Sequence, residues 1–390
     1  MKTKLLVGIA LLATSQFSFA QITQDTSRVI PVDTARVIPV DTTSLKVEMP
    51  TQTDSVAPAT KKWNIFPVAY YTPETQFGFG VKLIHVRKQA GHLPTDRPTS
   101  YSPTLIYTTR KQILTAFTAD VWRKHNARHF SGLLEYNDYP YFFFGIGNDT
   151  PDDAEEDYTS RTFNANAQYE QKITQKVYLG GRYEFKKEDI PKVTPEGQLD
   201  SDGILGSEGT IASGLGPVLI YDSRDNLFTP TKGGYHQLSA VFFQKFMGSD
   251  NNFARYKIDL RKYMSGFGPG VLAVQGLYTF TTGNTPFQFL SPIGGVFVMR
   301  GLLEGRFRDE NALVAQADYR FPLFWRFGGA VFGGAGQVAP GTNDLSFNRF
   351  HLTGGGGVRY KLNNEGMVVR GDVAFSNQGM YIYFSFAEAF

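Results

Sequence analysis

Between Phe253 and Met264 the side chains alternate with a period of two. Arg255, Lys257, Asp259 and Arg261 share one side of the chain, and Tyr256, Ile258 and Leu260 share the other. Only an extended strand puts successive residues on opposite faces, so this run cannot be a helix. The scheme recurs at 163–170, where Asn164, Asn166, Gln168 and Glu170 oppose Phe163, Ala165, Ala167 and Tyr169. At 177–186, Arg182, Glu184 and Lys186 oppose Leu179, Tyr183 and Phe185. A soluble sandwich also alternates, but its apolar faces converge on one core and its strands average about five or six residues. Segments of ten to twelve residues with ions of both signs on one face instead match a wall with hydrocarbon outside and a polar lumen inside.

From Trp63 to Phe390 the alternation predicts sixteen strands and no convincing amphipathic helix. They fall at roughly 64–71, 76–87, 100–110, 113–123, 129–139, 161–171, 176–187, 209–222, 234–244, 253–264, 271–282, 311–321, 326–337, 351–362, 367–376 and 379–390. The fold class this implies is all-β: a transmembrane antiparallel β-barrel of sixteen strands with a long inner loop folded into the lumen. Mean hydropathy is only −0.24 although aromatics make up 14% of the chain, which fits strands that show apolar residues on one side only. Past the first twenty residues no window reaches the 18 or more apolar residues of a membrane helix.

Lys2 and Lys4, an apolar run from Leu5 to Ala13, and Ser18-Phe19-Ala20 have the layout of a secretory signal peptide, with cleavage expected after Ala20. Residues 21–62 hold an octapeptide repeat, DTSRVIPV then DTARVIPV, and a Thr/Ser/Pro-rich run. Such a composition cannot build a core, so these residues read as a disordered periplasmic tether before the barrel at 63–390. The chain has no cysteine, which removes disulfides and thiolate metal sites. Formal charge is 39 − 36 = +3, or +1 without Lys2 and Lys4, and implies no nucleic-acid partner. The expected location is the outer membrane of a Gram-negative bacterium, with outer-membrane lipid as first partner. With a periplasmic amino terminus, the long connections 140–160, 188–208, 283–310 and 338–350 all fall outside the cell. One long connection, 88–99, falls on the periplasmic side.

The chain ends GMYIYFSFAEAF, in which Ile382, Phe384, Phe386 and Phe390 share one face. An amphipathic last strand closing on Phe looks like the carboxyl-terminal assembly signal of outer-membrane proteins. Four stretches carry a wider likeness: Met299-Arg300-Gly301-Leu302 within a glycine-rich loop, YDSRDNLFTPTKGGY at 221–235, YFFFGIGNDT at 141–150 and ALVAQADYRFPLF at 312–324. In these the sequence resembles the bacterial surface-antigen superfamily of sixteen-stranded barrels, which takes in the BamA- and TamA-like assembly proteins and the two-partner secretion transporters.

Some of the loop's physics needs no family. Glycines at 294, 295, 301 and 305 let a loop of some 28 residues pack tightly against a wall, and a guanidinium confined in the lumen needs a carboxylate. Asp318 is the candidate, on the polar face of its strand with Val314, Gln316 and Arg320. The resemblance implies a loop lock formed by Arg300, Gly301, Asp318 and Phe332. In the family the arginine also meets an acid on the next strand, within a pattern like F-x-D-A-G. Here that strand reads Phe332-Gly333-Gly334-Ala335-Gly336, which leaves Asp318 as the main anchor. Family members further carry periplasmic POTRA modules of about 75 to 80 residues; the 42 residues at 21–62 are too few, so a barrel-only member is expected.

Other chemistry is bland. The acidic run Asp152-Asp153-Ala154-Glu155-Glu156-Asp157 reads as a solvated face rather than a calcium loop. The glycines 354–357 have no following helix to make a phosphate cradle and read as close approach or a thin wall. His85, His92, His125, His129, His236 and His351 are scattered, with no HExxH or GxSxG pattern. The expectation is a protein that is not an enzyme and needs no cofactor or metal. Its leading role is assisting assembly or translocation of outer-membrane components, with outer-membrane protein clients, separate periplasmic or outer-membrane accessory proteins, and a second copy of the chain among the partners left open. A passive pore or structural barrel, and a surface adhesin working through its outer loops, are the other readings.

Overall fold

A computed structural model describes residues 63–390 apart from 73–75, 88–90, 92, 94–95, 110, 202 and 363–367. The signal-peptide and tether expectations therefore lie outside the described residues. Strands dominate: β1 (Trp63–Thr72), β2 (Gln76–Arg87), β3 (Thr99–Thr108), β4 (Ile113–Arg123), β5 (Arg128–Phe143), β6 (Glu156–Lys172), β7 (Val177–Lys192), β8 (Gly209–Asp222) and β9 (Gly233–Phe243) make the first half. The second half holds β10 (Phe253–Phe267), β11 (Gly270–Gly283), β14 (Asn311–Pro322), β15 (Phe327–Ala339), β16 (His351–Lys361), β17 (Val368–Ser376) and β18 (Gly379–Phe386). Two three-residue strands, β12 (Ser291–Ile293) and β13 (Phe307–Asp309), pair as a separate hairpin inside the long loop. The other sixteen form one sheet in chain order, each antiparallel to its neighbour, with β14 following β11. The sheet curls round a lumen, because side chains of β10, β14, β16 and the chain's last residues meet in its interior.

The alternation sorts as the sequence requires. In β14, Val314, Gln316, Asp318 and Arg320 are buried inward while Ala315 is exposed and Leu313, Ala317 and Tyr319 are half-buried outward. Phe79, Leu105, Leu179, Leu215 and Leu352 are all at least 50% exposed, an arrangement that is stable only against hydrocarbon. About ten residues tilted by about 40° span roughly 25 Å of it, and in a sheet curled on itself the backbone groups are satisfied by neighbouring strands.

Several strands run past their predicted ends. β5 continues to Phe143 and β6 begins at Glu156, so the outer connection shrinks from 140–160 to 144–155, and β7 reaches Lys192. The extension is an unbroken ladder down to Phe143↔Glu156, supported by the Tyr141–Tyr158 ring stack at 5.8 Å. Neither extension alternates, since Pro140 to Phe143 is apolar or aromatic on both faces and Glu156 to Ser160 is mostly polar on both, which hid it from a reading built on alternation. At the other extreme β18 ends at Phe386, four residues before its expected end.

Candidate functional site: the lumen loop lock

The connection from β11 to β14 turns back into the barrel. Its apolar residues Ile293, Met299, Leu302 and Phe307 pack with Ala312, Val314 and Val338 of the wall in one buried cluster. Each of these loop residues is 2% exposed or less, so the loop is part of the core. The glycines act as expected. Gly294 has φ +111°, and a Cβ there would lie 1.9 Å from the Leu303 carbonyl oxygen; Gly301, at φ +113°, would meet the Phe375 carbonyl oxygen at 2.9 Å. Polar contacts then fix the tip: Met299 N donates to Gln316 Oε1 at 3.1 Å and Gly301 N to the Tyr383 hydroxyl at 2.9 Å, while Ser376 Oγ donates to Gly301 O at 2.5 Å.

Arg300 projects from that tip and is 2% exposed. Its Nη2 donates to Asp318 Oδ1 in an ion pair, and its Nη1 donates to Asp372 Oδ2 at 2.7 Å. The face of Phe332 lies 3.6 Å from the guanidinium carbon. Arg300, Gly301, Asp318 and Phe332, the residues the resemblance singles out, thus lie together at the loop tip. The expectation that Asp318 is the main anchor needs correction, because Asp372 of β17 supplies a second buried carboxylate. The physical reason is visible at Gly334: a Cβ there would stand 2.9 Å from Met299 Sδ, so the loop's own methionine occupies the space an acid would need. The acid enters from β17 instead. Room for it comes from the glycine run, since a Cβ at Gly357 would lie 2.1 Å from Asp372 Oδ1 and one at Gly355 would lie 2.7 Å from the Phe332 ring. The close-approach reading of residues 354–357 is the one the geometry supports.

Both carboxylates belong to a larger network. Asp372 also accepts from Arg370 at 2.7 Å and from Arg359, and Arg370 donates to the Val296 carbonyl of the loop at 2.7 Å. Arg359 donates through Nε to Glu388 at 3.1 Å, and Arg320 approaches Glu388 at 3.6 Å and Asp318 at 3.9 Å. The sequence reading missed Asp372, Arg359, Arg370 and Glu388. The arginine and aspartate had a readable signal, alternating inward on Val368–Ser376 as Arg370 and Asp372, but nothing local says which loop residue they face.

The carboxyl-terminal residues differ from expectation. Phe384 lies on β18, as does Phe386, whose side chain is outside the described residues. Phe390 is not on that strand face. Ala387 adopts φ +61°, the chain turns inward, and Phe390 is buried with Tyr263, Ala273 and Ala389. Arg320 donates to its carbonyl at 2.9 Å. A buried carboxylate at Glu388, two residues after the strand end, needs the lumen arginines, and that need draws the tail in.

The stretch 141–150 caps the loop from the far end. Gly147 N donates to Arg308 O at 2.9 Å, Asn148 Oδ1 accepts from Val338 N at 2.9 Å, and Phe144 stacks beneath Arg306 at 4.5 Å. Arg306 itself donates to Thr150, to Gln378 and, at 2.7 Å, to Asp152, whose carboxyl this hydrogen bond holds below its ordinary range. The acidic run is therefore not a uniformly solvated face, since Glu156 is also buried and accepts from Gln198 N and Leu199 N. The stretch 221–235 forms the β8–β9 turn, where Arg224 pairs with Asp222 at 3.0 Å and Asp225 accepts from Thr231 N and Lys232 N. Of the histidines, His129 has both ring nitrogens engaged, by Asp120 at 3.3 Å and Glu170 at 3.4 Å. His351 stacks on Phe307 at 3.8 Å.

An all-β barrel whose inner loop is clamped by its own arginine defines a class of outer-membrane protein. The chain belongs to the Omp85 superfamily, whose domain model matches residues 98–384, and barrels of that superfamily are outer-membrane proteins of Gram-negative bacteria. Among solved structures, the chain resembles BamA from Haemophilus ducreyi lacking POTRA domains 1–3, with a TM-score of 0.57 at 14% identity over 84% of this chain and 69% of that one. It also resembles CdiB from Acinetobacter baumannii, with a TM-score of 0.54 at 11% identity over 83% of this chain and 59% of that one. No curated protein matches the sequence. No POTRA module and no helix stands among the described residues beyond short 3₁₀ turns.

Proposed function

We propose that this barrel assists the assembly or translocation of outer-membrane components without enzymatic chemistry, its clients delivered by separate periplasmic or outer-membrane partners. One observation carries the reading: the loop tip is bound to β14, β17 and β18, the strands that lead to the final edge of the sheet. A brace there holds or releases the edge, and an edge strand is where a client strand pairs. In this reading the end bearing the strand start at Trp63 and the tail at Phe390 is periplasmic, and the capped end of the loop lock faces outward.

The passive-pore reading fares worse against the same geometry, because the loop and the tail both occupy the lumen that a pore would need open. Depleting the protein and quantifying the other outer-membrane proteins and lipids tests the proposal. Loss of a defined subset supports it, and unchanged levels of all of them would refute it. Planar-bilayer recording with purified protein separates the pore reading, which requires steady conductance from the native chain.

A further inference from the structure

The near-neutral total conceals a segregation of charge along the barrel axis. At the end bearing the tail, exposed cations follow one another around the rim: Arg123, Lys124 and Arg128 at the β4–β5 turn, Lys176 at the β6–β7 turn, Lys232 at the β8–β9 turn and Lys262 near the end of β10. None of the six joins an ion pair among the described residues. The acids beside them are committed elsewhere: Asp96 to His125 at 2.7 Å, Asp222 to Arg224 and Arg97, and Asp225 to the Thr231 hydroxyl and neighbouring amides. At the opposite end the exposed charges are dominated by acids, among them Asp149, Asp153, Glu155, Asp189 and Glu196.

The cations stand at the level where the hydrocarbon face stops. Arg128 shares its outward face with Phe130, 39% exposed, and Lys262 with Leu260, 47% exposed. Arg326 follows Trp325, which is 79% exposed at the β14–β15 turn, and aromatic residues mark membrane–water boundaries. Arg123 and Arg128 are direct cross-strand partners, an arrangement of like charges that is unfavourable without an anion nearby. The turn between them is also strained. Lys124, His125 and Asn126 have φ of 52°, 51° and 64°, three consecutive non-glycine residues in the left-handed region, held by Asn126 Oδ1 accepting from Arg97 N at 2.7 Å. Strain that is held in place and presents unpaired cations marks a surface with a use.

We propose that this rim is a collar for anionic phospholipid headgroups in the leaflet it meets, with phosphates seated between the outward cations and the acyl chains on the aromatic and leucine band below. Each exposed cation near a membrane surface favours an anionic headgroup about fivefold, or about 1 kcal/mol. A lipid partner fits better than an acidic protein, because the cations run along the rim from β4 to β10, with Arg326 further round at the β14–β15 turn, and sit beside lipid-facing side chains.

The test uses the full chain reconstituted in phosphatidylcholine bilayers with spin-labelled phosphatidylglycerol or phosphatidylcholine, reading the motionally restricted lipid by electron paramagnetic resonance. Because the restricted shell also counts the lipids that touch no cation, the native chain is expected to restrict phosphatidylglycerol only about twofold more than phosphatidylcholine, with the preference lost near 1 M salt, where the screening length is about 3 Å. The triple variant R123Q/K124Q/R128Q, and separately K176Q/K232Q/K262Q, are each expected to reduce it, with folding verified by heat-modifiable gel migration. Equal restriction of both lipids by the native chain overturns the proposal. So does retention of a polyglutamate probe by that chain without any lipid preference, which would point to an acidic protein. Restriction of neither lipid would strike the membrane reading itself.

Discussion

Replacing Arg300 with alanine separates the two carboxylates by their remaining partners. Without Arg300, Asp318, which is fully buried, keeps only Arg320 at 3.9 Å and Arg359 at 4.0 Å, both beyond hydrogen-bond reach. Asp372 still holds Arg370 at 2.7 Å and the close Arg359. Breaking a buried pair from one side costs about 3–5 kcal/mol, and losing the contact with Phe332 adds about 1 kcal/mol. We expect R300A to cost about 4 kcal/mol, nearly all of it through Asp318. The single variant D318A should cost about 3 kcal/mol, since Arg300 then keeps Asp372. The double variant should cost little more than R300A alone, which makes the coupling about 2–3 kcal/mol, or roughly a hundredfold. Asp372 gives the sharper forecast, because D372N leaves Arg300, Arg359 and Arg370 facing one another and should be the most destabilising single change of the three. Guanidinium unfolding in phospholipid vesicles, followed by gel migration and tryptophan emission, measures all of these. Fully additive losses for Arg300 and Asp318 would refute direct pairing, and a D372N variant milder than D318A would refute the shared-carboxylate arrangement.

Other consequences follow from the same contacts. G334D, which places an acid where the F-x-D-A-G pattern would have one, should destabilise by about 1–3 kcal/mol through overlap with Met299, and adding M299V should recover part of the loss in the same unfolding assay. In a chain with no native cysteine, a single F390C variant labelled from the tail end should react slowly, and E388Q should speed labelling by freeing the tail from Arg359 and Arg320. Unchanged labelling would show that Glu388 does not hold the tail. Asp152 is a low-pKa case: its contact with Arg306 contributes above the unfolded carboxyl pKa and is lost as pH falls through the lower folded value. Because that carboxyl is largely exposed, D152N should barely change protease protection of the loop at neutral pH, whereas R306A, which also loses Thr150 and Gln378, should expose it.

How much of this the sequence discloses depends on the range of the interaction. Strand number and facing were legible because alternation is local: Arg255 to Arg261 declare a polar wall whatever lies opposite. Strand ends were less so, since β5 continues past Tyr139 with apolar and aromatic residues on both sides and β6 begins before Arg161 with mostly polar ones, and neither stretch alternates. For the lock, Arg300 and Asp318 could be paired because the family motif sets them on adjacent elements. Asp372 lies 72 residues from Arg300, and only the curl of the sheet brings it near. Its partnership was hidden by a missing acid at 334, which left Asp318 reading as the main anchor when the second charge stands on β17. The inward turn of Phe390 was illegible for a similar reason: Glu388 reads as one more polar residue until Arg320 and Arg359 are seen beside it.

That relocation changes what the lock does mechanically. An acid on β15 would let Arg300 grip adjacent strands, β14 and β15. With Asp372 the grip runs from β14 to β17 and spans the two strands between. Those two are the softest part of the wall, with glycine at 328, 329, 333, 334 and 336 in β15 and at 354, 355, 356 and 357 in β16. Each glycine inside a strand gives up side-chain packing and backbone rigidity worth roughly 0.5–1 kcal/mol relative to alanine. A wall this pliable would bend freely if nothing crossed it, and the arginine bridge supplies the missing stiffness from within. Releasing Arg300 would therefore soften β15 and β16 as well as free the loop, and the change would reach the edge at β18 through β17, its hydrogen-bonded neighbour.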